Sequence, residues 1–431
     1  MKKKWLLGVL AIAMTAATAF GVSACGDNGG NDNGSSSSSS SEIVNDSSSE
    51  VVEDSSEEDS SVEVGDSSEE VVNSSSEEVV DSSEEVADSS SEVSSASEEV
   101  ADSSSEDDSS EVESNDDETI EFLADGTVNF GKYPQTKVTD SATTSALTSL
   151  AGALPTVNAG GWTSYGYYIS GSNATDYMWY QDVEYGGSKY RGVYFSSYRP
   201  YCTKNCSSSQ THQDDNGYAT STLYWFEYEC LNWTILDEND GEYFLLCNSI
   251  IDSQEYYHST SSRTINGKTV YANNYAESNI RRWLNETFYE TAFNELQQSL
   301  IQTTMVDNSA KSTNPYGQDN GVNNNACENT NDKIFLLSTE EVKNSNYGFV
   351  SEPNAGDTVR RRQTSDYAQC QGAYTYSGGS YDGNGQWWLR SRDFSGDDCA
   401  SGVNLAGNAD YGIGVYSTEV GVVPALKLVL S

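Results

Sequence analysis

Between Asp27 and Glu118 the chain has no lysine, no arginine and no aromatic residue, and this stretch limits how much of the sequence can fold. It holds about half of the acidic residues and is otherwise mostly Ser and Val. Such a composition cannot bury enough apolar surface to offset the entropy of ordering the backbone. Valines do recur every seven residues, at Val72, Val79, Val86, Val93 and Val100. A coiled coil, however, needs two apolar seam positions per heptad, usually with complementary charges beside them. Here one position repeats among serines and carboxylates, and like charges repel along a helix. Residues 25–118 therefore read as a disordered tether. Fully extended it spans about 300 Å. As a coil it averages about 55 Å, and self-repulsion swells that.

The residues before the tether have a different texture. Lys2, Lys3 and Lys4 precede an apolar run, Trp5–Phe20, and small residues lead to a cysteine in Val22-Ser23-Ala24-Cys25. The run is short for a membrane span, and its flanks fit a secretory signal. The small residues before Cys25 resemble the lipobox of bacterial lipoproteins. That resemblance implies that residues 1–24 are a signal peptide cut before Cys25. It also implies that Cys25 carries lipid and that the bilayer is a partner through that acyl group. The expected location is the cell membrane, lipid-anchored on the extracytoplasmic face, as on a Gram-positive cell surface.

The net charge is −45, with 67 acidic against 22 basic residues. Nucleic acid is not an expected partner, because phosphate binding needs a basic face that releases counterions. Beyond Lys2–Lys4, the one local basic run, Arg360-Arg361-Arg362, reads as a solvated loop or helix end.

From Thr119 onward aromatics become dense. All 28 tyrosines and most of the 8 tryptophans lie there, and Gly and Asn punctuate short apolar runs. Residues 119–431 read as one globular α+β domain with mostly short antiparallel strands and two helices. Trp233–Leu246 is the clearest hairpin, with Asp240-Gly241 between apolar runs. Asp237, Glu238 and Asp240 in that loop fit turn chemistry, since calcium-loop spacing is missing. Ser278 caps a predicted helix with Ile280, Trp283, Leu284 and Phe288 on one face. A second helix is predicted over about 290–302, with Phe293, Leu296, Leu300 and Ile301 inward. Lys333–Ser338, Gln386–Ser391 and Gly421–Leu430 read as strands, with Pro424 suited to an edge or a strand start.

These pieces in this order resemble the bacterial family called domain of unknown function 6273. The residues that carry the resemblance begin with Phe130-Gly131-Lys132-Tyr133-Pro134-Gln135-Thr136, the Trp233–Leu236 strand, and Ser278-Asn279-Ile280-Arg281 with Trp283-Leu284-Asn285. They continue with Ile334–Ser338, Thr364–Ala368, Trp387-Trp388-Leu389-Arg390-Ser391 and Gly421–Leu426. The likeness spans about residues 127–431, with a Tyr-rich elaboration at about 140–230. Two positions depart from the family pattern: Arg392 stands where many members have Pro, and Val423 where many have Arg. The resemblance implies a C-type-lectin-like fold of the formylglycine-generating-enzyme kind, by analogy of pattern alone. Within its motifs Arg281, Trp283, Trp387, Trp388, Arg390 and Pro424 are expected to be structural, the arginines in salt bridges or at helix ends and the tryptophans in the core.

Candidate chemistry is sparse. The only histidines are His212 and His258, and neither lies in a nucleophile-elbow motif or a zinc-ligand pattern. No cofactor, metal or catalytic residue is expected. After Cys25, seven cysteines remain: Cys202, Cys206, Cys230, Cys247, Cys327, Cys370 and Cys399. Export permits disulfides, and Cys202 and Cys206 are near enough in sequence to pair. Candidate ligand platforms are the aromatics of the elaboration: Trp162, Tyr165, Tyr167, Tyr168, Tyr177, Trp179 and Tyr180. Such rings beside Asn and Asp suit sugars, whose C–H faces stack while hydroxyls bond polar groups; packing is the competing explanation. The leading expectation is a non-catalytic surface binding module for glycan or protein. The alternatives are an enzyme, either oxidase-like or a carboxylate-based cell-wall hydrolase, and a structural envelope protein.

Overall fold

One long strand, Leu223–Asn239, links the halves of the larger sheet. The computed structural model describes residues 120–155, 161–165, 177–199, 212–314, 327–393, 396–409 and 411–430. The signal, the tether, Tyr167, Tyr168, Cys202 and Cys206 all lie outside them. The fold is mixed α and β, with mostly antiparallel strands and a few short helices.

The larger sheet begins with β1 (Thr127–Lys137), β2 (Thr163–Ser164), β3 (Met178–Tyr185) and β4 (Ser188–Phe195). The long strand is β5, and β6 (Glu242–Cys247) follows it. One edge of β5 pairs with β1. The other pairs with β4 at Leu223–Glu227 and with β6 at Trp233–Asn239, all antiparallel. The β5–β6 turn is the hairpin expected from Asp240-Gly241. Asn239 pairs with Glu242, and both turn residues have positive φ, 49° and 83°. That geometry matches the strand twist and favours Gly at the second position. A Cβ on Gly241 would also lie 2.7 Å from the Leu430 carbonyl oxygen.

The smaller sheet is built from β7 (Asp252–Ser253), followed later in the chain by β9 (Trp387–Arg392), β10 (Cys399–Val403), β11 (Tyr411–Gly414) and β12 (Gly421–Val422). The intervening β8 (Ile334–Phe335) and the last strand β13 (Ala425–Val429) join the larger sheet. The C-terminal run is therefore not one strand. It divides at Val423-Pro424, and β6 and β7 divide in parallel with it. β6 pairs with β13 and β7 with β12, so two adjacent chain segments step together from one sheet to the other. Pro424 has no amide hydrogen to give, but its carbonyl accepts from Cys247 N at 3.0 Å. Trp233, Trp387, Trp388, Tyr256, Tyr275 and Tyr367 fill the interior and are almost completely buried.

Ser278 caps its helix as predicted, its hydroxyl accepting from the Arg281 amide. The helical run is segmented: α2 (Asn279–Trp283), a π-turn at Leu284–Phe288, then α3 (Tyr289–Ala292). Ile280, Leu284 and Phe288 are buried on one face. The second helix starts later than predicted. Phe293 is extended (φ −128°), and α4 (Glu295–Leu300) begins after a capping box of Asn294 and Gln297. This break turns the helix face, so Leu296 is half exposed rather than inward, while Phe293 and Ile301 are buried.

Two helices were too few. An 11-residue helix, α1 (Ser141–Ala151), packs in the Tyr-rich region, and another at Asp366–Gln371 is capped by Ser365. The arginine run is not solvated either. Arg360 and Arg362 are buried, with guanidinium groups donating to backbone carbonyls. Arg360 reaches Gly407 O at 2.8 Å, and Arg362 reaches Cys247 O at 2.8 Å. Irregular loops leave carbonyls without ladder partners, and a five-donor side chain can satisfy several at once.

Candidate functional site

The β3–β4 hairpin closes over Gly186 and Gly187, both at positive φ. Alternate residues on one face are Tyr180, Asp182 and Glu184 on β3, opposite Lys189 and Arg191 on β4. Arg191 is only 4% exposed and grips Asp182 with two hydrogen bonds, Nε to Oδ1 at 2.7 Å and Nη2 to Oδ2 at 2.8 Å. Tyr228 from β5 donates its hydroxyl to the same carboxylate at 2.8 Å, and the Lys189 ammonium lies 3.6 Å away. Burial opposes ionisation of Asp182, but Arg191 and Tyr228 outweigh it and hold the carboxyl below its usual value. The Arg191 guanidinium stacks 4.2 Å from the Tyr180 ring centre, and Tyr180 packs 4.9 Å from Tyr165.

These groups form part of a cleft of about 180 Å³. Its sheet side presents Tyr133, Tyr165, Tyr180 and Arg191; its helix side presents Arg282, Trp283, Glu286 and Thr287. Asp252 and Gln254 also line it. Tyr133 donates to Asp252 Oδ2 at 2.7 Å, while Ser253 N and Gln254 Nε2 donate to Oδ1 at 2.6 and 3.1 Å. Burial pushes the Asp252 carboxyl above its usual value despite these donors. With both oxygens occupied, Asp252 orients Tyr133 and Gln254 rather than offering a free base. Aromatic faces, a stacked guanidinium and amide and hydroxyl groups in one concavity can hold a polyhydroxylated molecule by stacking and hydrogen bonding.

The structure brings together two of the seven aromatic candidates, Tyr165 and Tyr180. Trp162 and Trp179 are buried, at 9% and 8% exposure, and Trp162 donates to Ala153 O at 3.0 Å. Tyr177 is half-buried and does not line the cleft. Trp387 and Trp388 are in the core, donating to Arg360 O at 3.1 Å and Gln254 O at 2.8 Å; Trp283 is half-buried at the cleft wall. Arg281 pairs with Asp332 at 2.6 Å, and Arg390 pairs with Glu341 while also donating to Leu336 O at 2.7 Å. Arg392 and Val423, the two departures from the family pattern, are both buried. Cys399 is disulfide-bonded, whereas Cys247, Cys327 and Cys370 are free thiols.

Sequence reasoning missed Tyr133, Asp182, Arg191, Tyr228 and Asp252. One signal was available: Asp182 and Arg191 sit symmetrically about the Gly186-Gly187 turn, as cross-strand partners of opposite charge do. Among the described residues no group of three His, Cys, Asp or Glu side chains is disposed to hold a metal ion.

The architecture and cleft thus define an α+β protein with a polar, aromatic-lined concavity between sheet and helix. Residues 240–430 match the family model of a domain of unknown function, DUF6273. No curated protein and no solved structure matches the chain. The matched stretch contributes Asp252, Gln254 and the helix wall. Tyr133, Tyr165, Tyr180 and Arg191 come from the preceding chain, so the cleft is assembled from both.

Proposed function

We propose that the protein is a non-catalytic carbohydrate-binding module whose ligand sits in the Tyr165–Tyr180–Trp283 cleft. The observation that carries this reading is the convergence of four aromatic side chains, Tyr133, Tyr165, Tyr180 and Trp283, with Arg191, Gln254 and Glu286 in one concavity. Aromatic faces supply contact area at low entropic cost, and fixed polar groups select hydroxyl patterns. The occupied oxygens of Asp252 support binding over hydrolysis. In this reading Cys25 anchors the chain in the membrane through lipid, and the acidic tether holds the domain away from the bilayer at the cell surface. The C-type-lectin-like fold belongs to the same proposal, supported by the order of hairpin, segmented helix and late Trp-Trp strand along the chain.

The test is a glycan array probed with the full chain and with its Tyr180→Ala variant. Binding to a defined set of glycans that the variant loses is the expected result. An array with no binding, or binding that the variant retains in full, overturns the reading, as does capture of a wall protein without any glycan.

A further inference from the structure

Next to the cleft lies a second cavity of about 330 Å³, whose lining includes Lys132, Glu184, Lys189, Tyr228, Glu290 and Asn294. Among the described residues the two cavities share no lining residue, but both of their walls run from one to the other.

On the sheet wall, Tyr180 and Glu184 lie four residues apart on the same face of β3. Their cross-strand neighbourhood on β4 carries Arg191 and Lys189 two residues apart. The step along β3 is about 13 Å at strand rise. On the helix wall, Trp283, Glu286 and Thr287 line the first cavity and Glu290 lines the second, along the run that passes from α2 through the π-turn into α3. Sheet and helix therefore both continue from the first cavity to the second. Asp182 stands at the midpoint, bonded to Arg191 of the first cavity and to Tyr228 of the second, with Lys189 at 3.6 Å. Lys189 lies 4.3 Å over the Tyr228 ring, so the second cavity repeats the first one's pairing of a cation with an aromatic face.

Two separate sites would not need the same strands and the same helical run for walls, or a carboxylate shared between them. We propose that the aromatic cleft and the Lys189 cavity are subsites of one groove that takes a linear oligosaccharide lengthwise. This rests on the carbohydrate reading of the cleft. The first subsite stacks a ring between aromatics. The second binds the hydroxyls of following units through Lys189, Glu184 and Glu290. Binding strength accordingly depends on chain length, because a single ring fills only the first subsite.

The experiment titrates the full chain with mono- to hexasaccharide series of chitin, xylan and cellulose, and repeats it with Tyr180→Ala and with the double variant Glu184→Ala/Glu290→Ala. Both carboxylates of the double variant are exposed, so the fold is retained, and a thermal melt checks it. The expected result is an affinity that rises at least tenfold from one unit to four in at least one series and then levels off. The double variant is expected to flatten that rise while leaving the affinity for the shortest bound member unchanged. Equal affinity at every length, or a rise that the double variant leaves intact, overturns the groove but keeps the cleft if Tyr180→Ala abolishes binding. No binding in any series at any length counts against the cleft reading itself and takes the groove with it.

Discussion

Arg191 and Asp182 face each other across the β3–β4 hairpin, joined by two hydrogen bonds of 2.7 and 2.8 Å, and the arginine is 4% exposed. The pair locks the Arg191 guanidinium plane against Tyr180, so one ion pair fixes both the charge and an aromatic wall of the cleft. Removing the carboxylate would leave a buried guanidinium with its strongest acceptor gone.

Asp182→Asn is therefore expected to destabilise the fold by about 3 kcal/mol, the usual cost of breaking a buried pair from one side. Arg191→Lys should not be neutral, because an ammonium cannot make the bidentate contact or stack flat on Tyr180. Chemical denaturation of the two variants measures both effects. Parent-like midpoints for both would mean that the pair is a bystander.

The cleft aromatics should separate binding from folding. Trp283 and Tyr180 are only partly buried, so their replacement by Ala should cost little stability compared with core truncation. Each is expected to weaken glycan binding about tenfold or more, equivalent to about 1.4 kcal/mol. Trp387→Ala should do the reverse, costing about 3–5 kcal/mol of stability because its ring is fully buried. Calorimetric titration beside thermal melts distinguishes the two patterns. A Trp283→Ala variant that unfolds with unchanged specific affinity would move Trp283 from wall to core.

Gly131 offers a test of how the family-like motif at residues 130–136 is used. Its φ is +75°, and a Cβ there would lie 2.5 Å from the Phe293 ring and 2.9 Å from the Ala292 carbonyl oxygen. Both the conformation and the contact select glycine, because β1 bulges where the end of α3 presses on it. Gly131→Ala is expected to cost about 1–3 kcal/mol through strain and overpacking. A melting temperature equal to the parent's would show that helix and strand can separate without penalty.

What was legible in the chain is what local chemistry determines. The Asp240-Gly241 turn, the Ser278 cap and the buried Trp387-Trp388 strand each follow from a few neighbouring residues, and each appears where expected. The break at Phe293 was not legible, since the apolar spacing continues through it and only the Asn294–Gln297 capping box marks a fresh start. Arg360 and Arg362 were misread because their acceptors, such as Gly407 O and Cys247 O, lie far away in sequence. The cleft was half legible for the same reason. Tyr165 and Tyr180 stood out as aromatics, whereas Tyr133, Arg191 and Asp252 acquire their roles only once strands distant in sequence pair.

Glu255 predicts a specific pH dependence of stability. It is 4% exposed, its Oε1 has no hydrogen-bond partner among the described residues, and burial pushes its carboxyl up to about 7, an effect that nearby Arg199 only partly offsets. The unfolded value is 4.5. Below that value both states hold the proton, and Glu255 adds no penalty. Between 4.5 and about 7 the unfolded chain releases the proton while the folded one keeps it, so stability falls as pH rises. Above 7 the loss is complete, at about 3 kcal/mol. Glu255→Gln keeps the shape and removes the titration. The variant should match the parent at pH 4 and exceed it by about 3 kcal/mol at pH 8, as read from urea midpoints across that range. Parallel pH profiles for parent and variant would mean that the Glu255 carboxyl ionises normally in the fold and is solvated by some route other than Arg199.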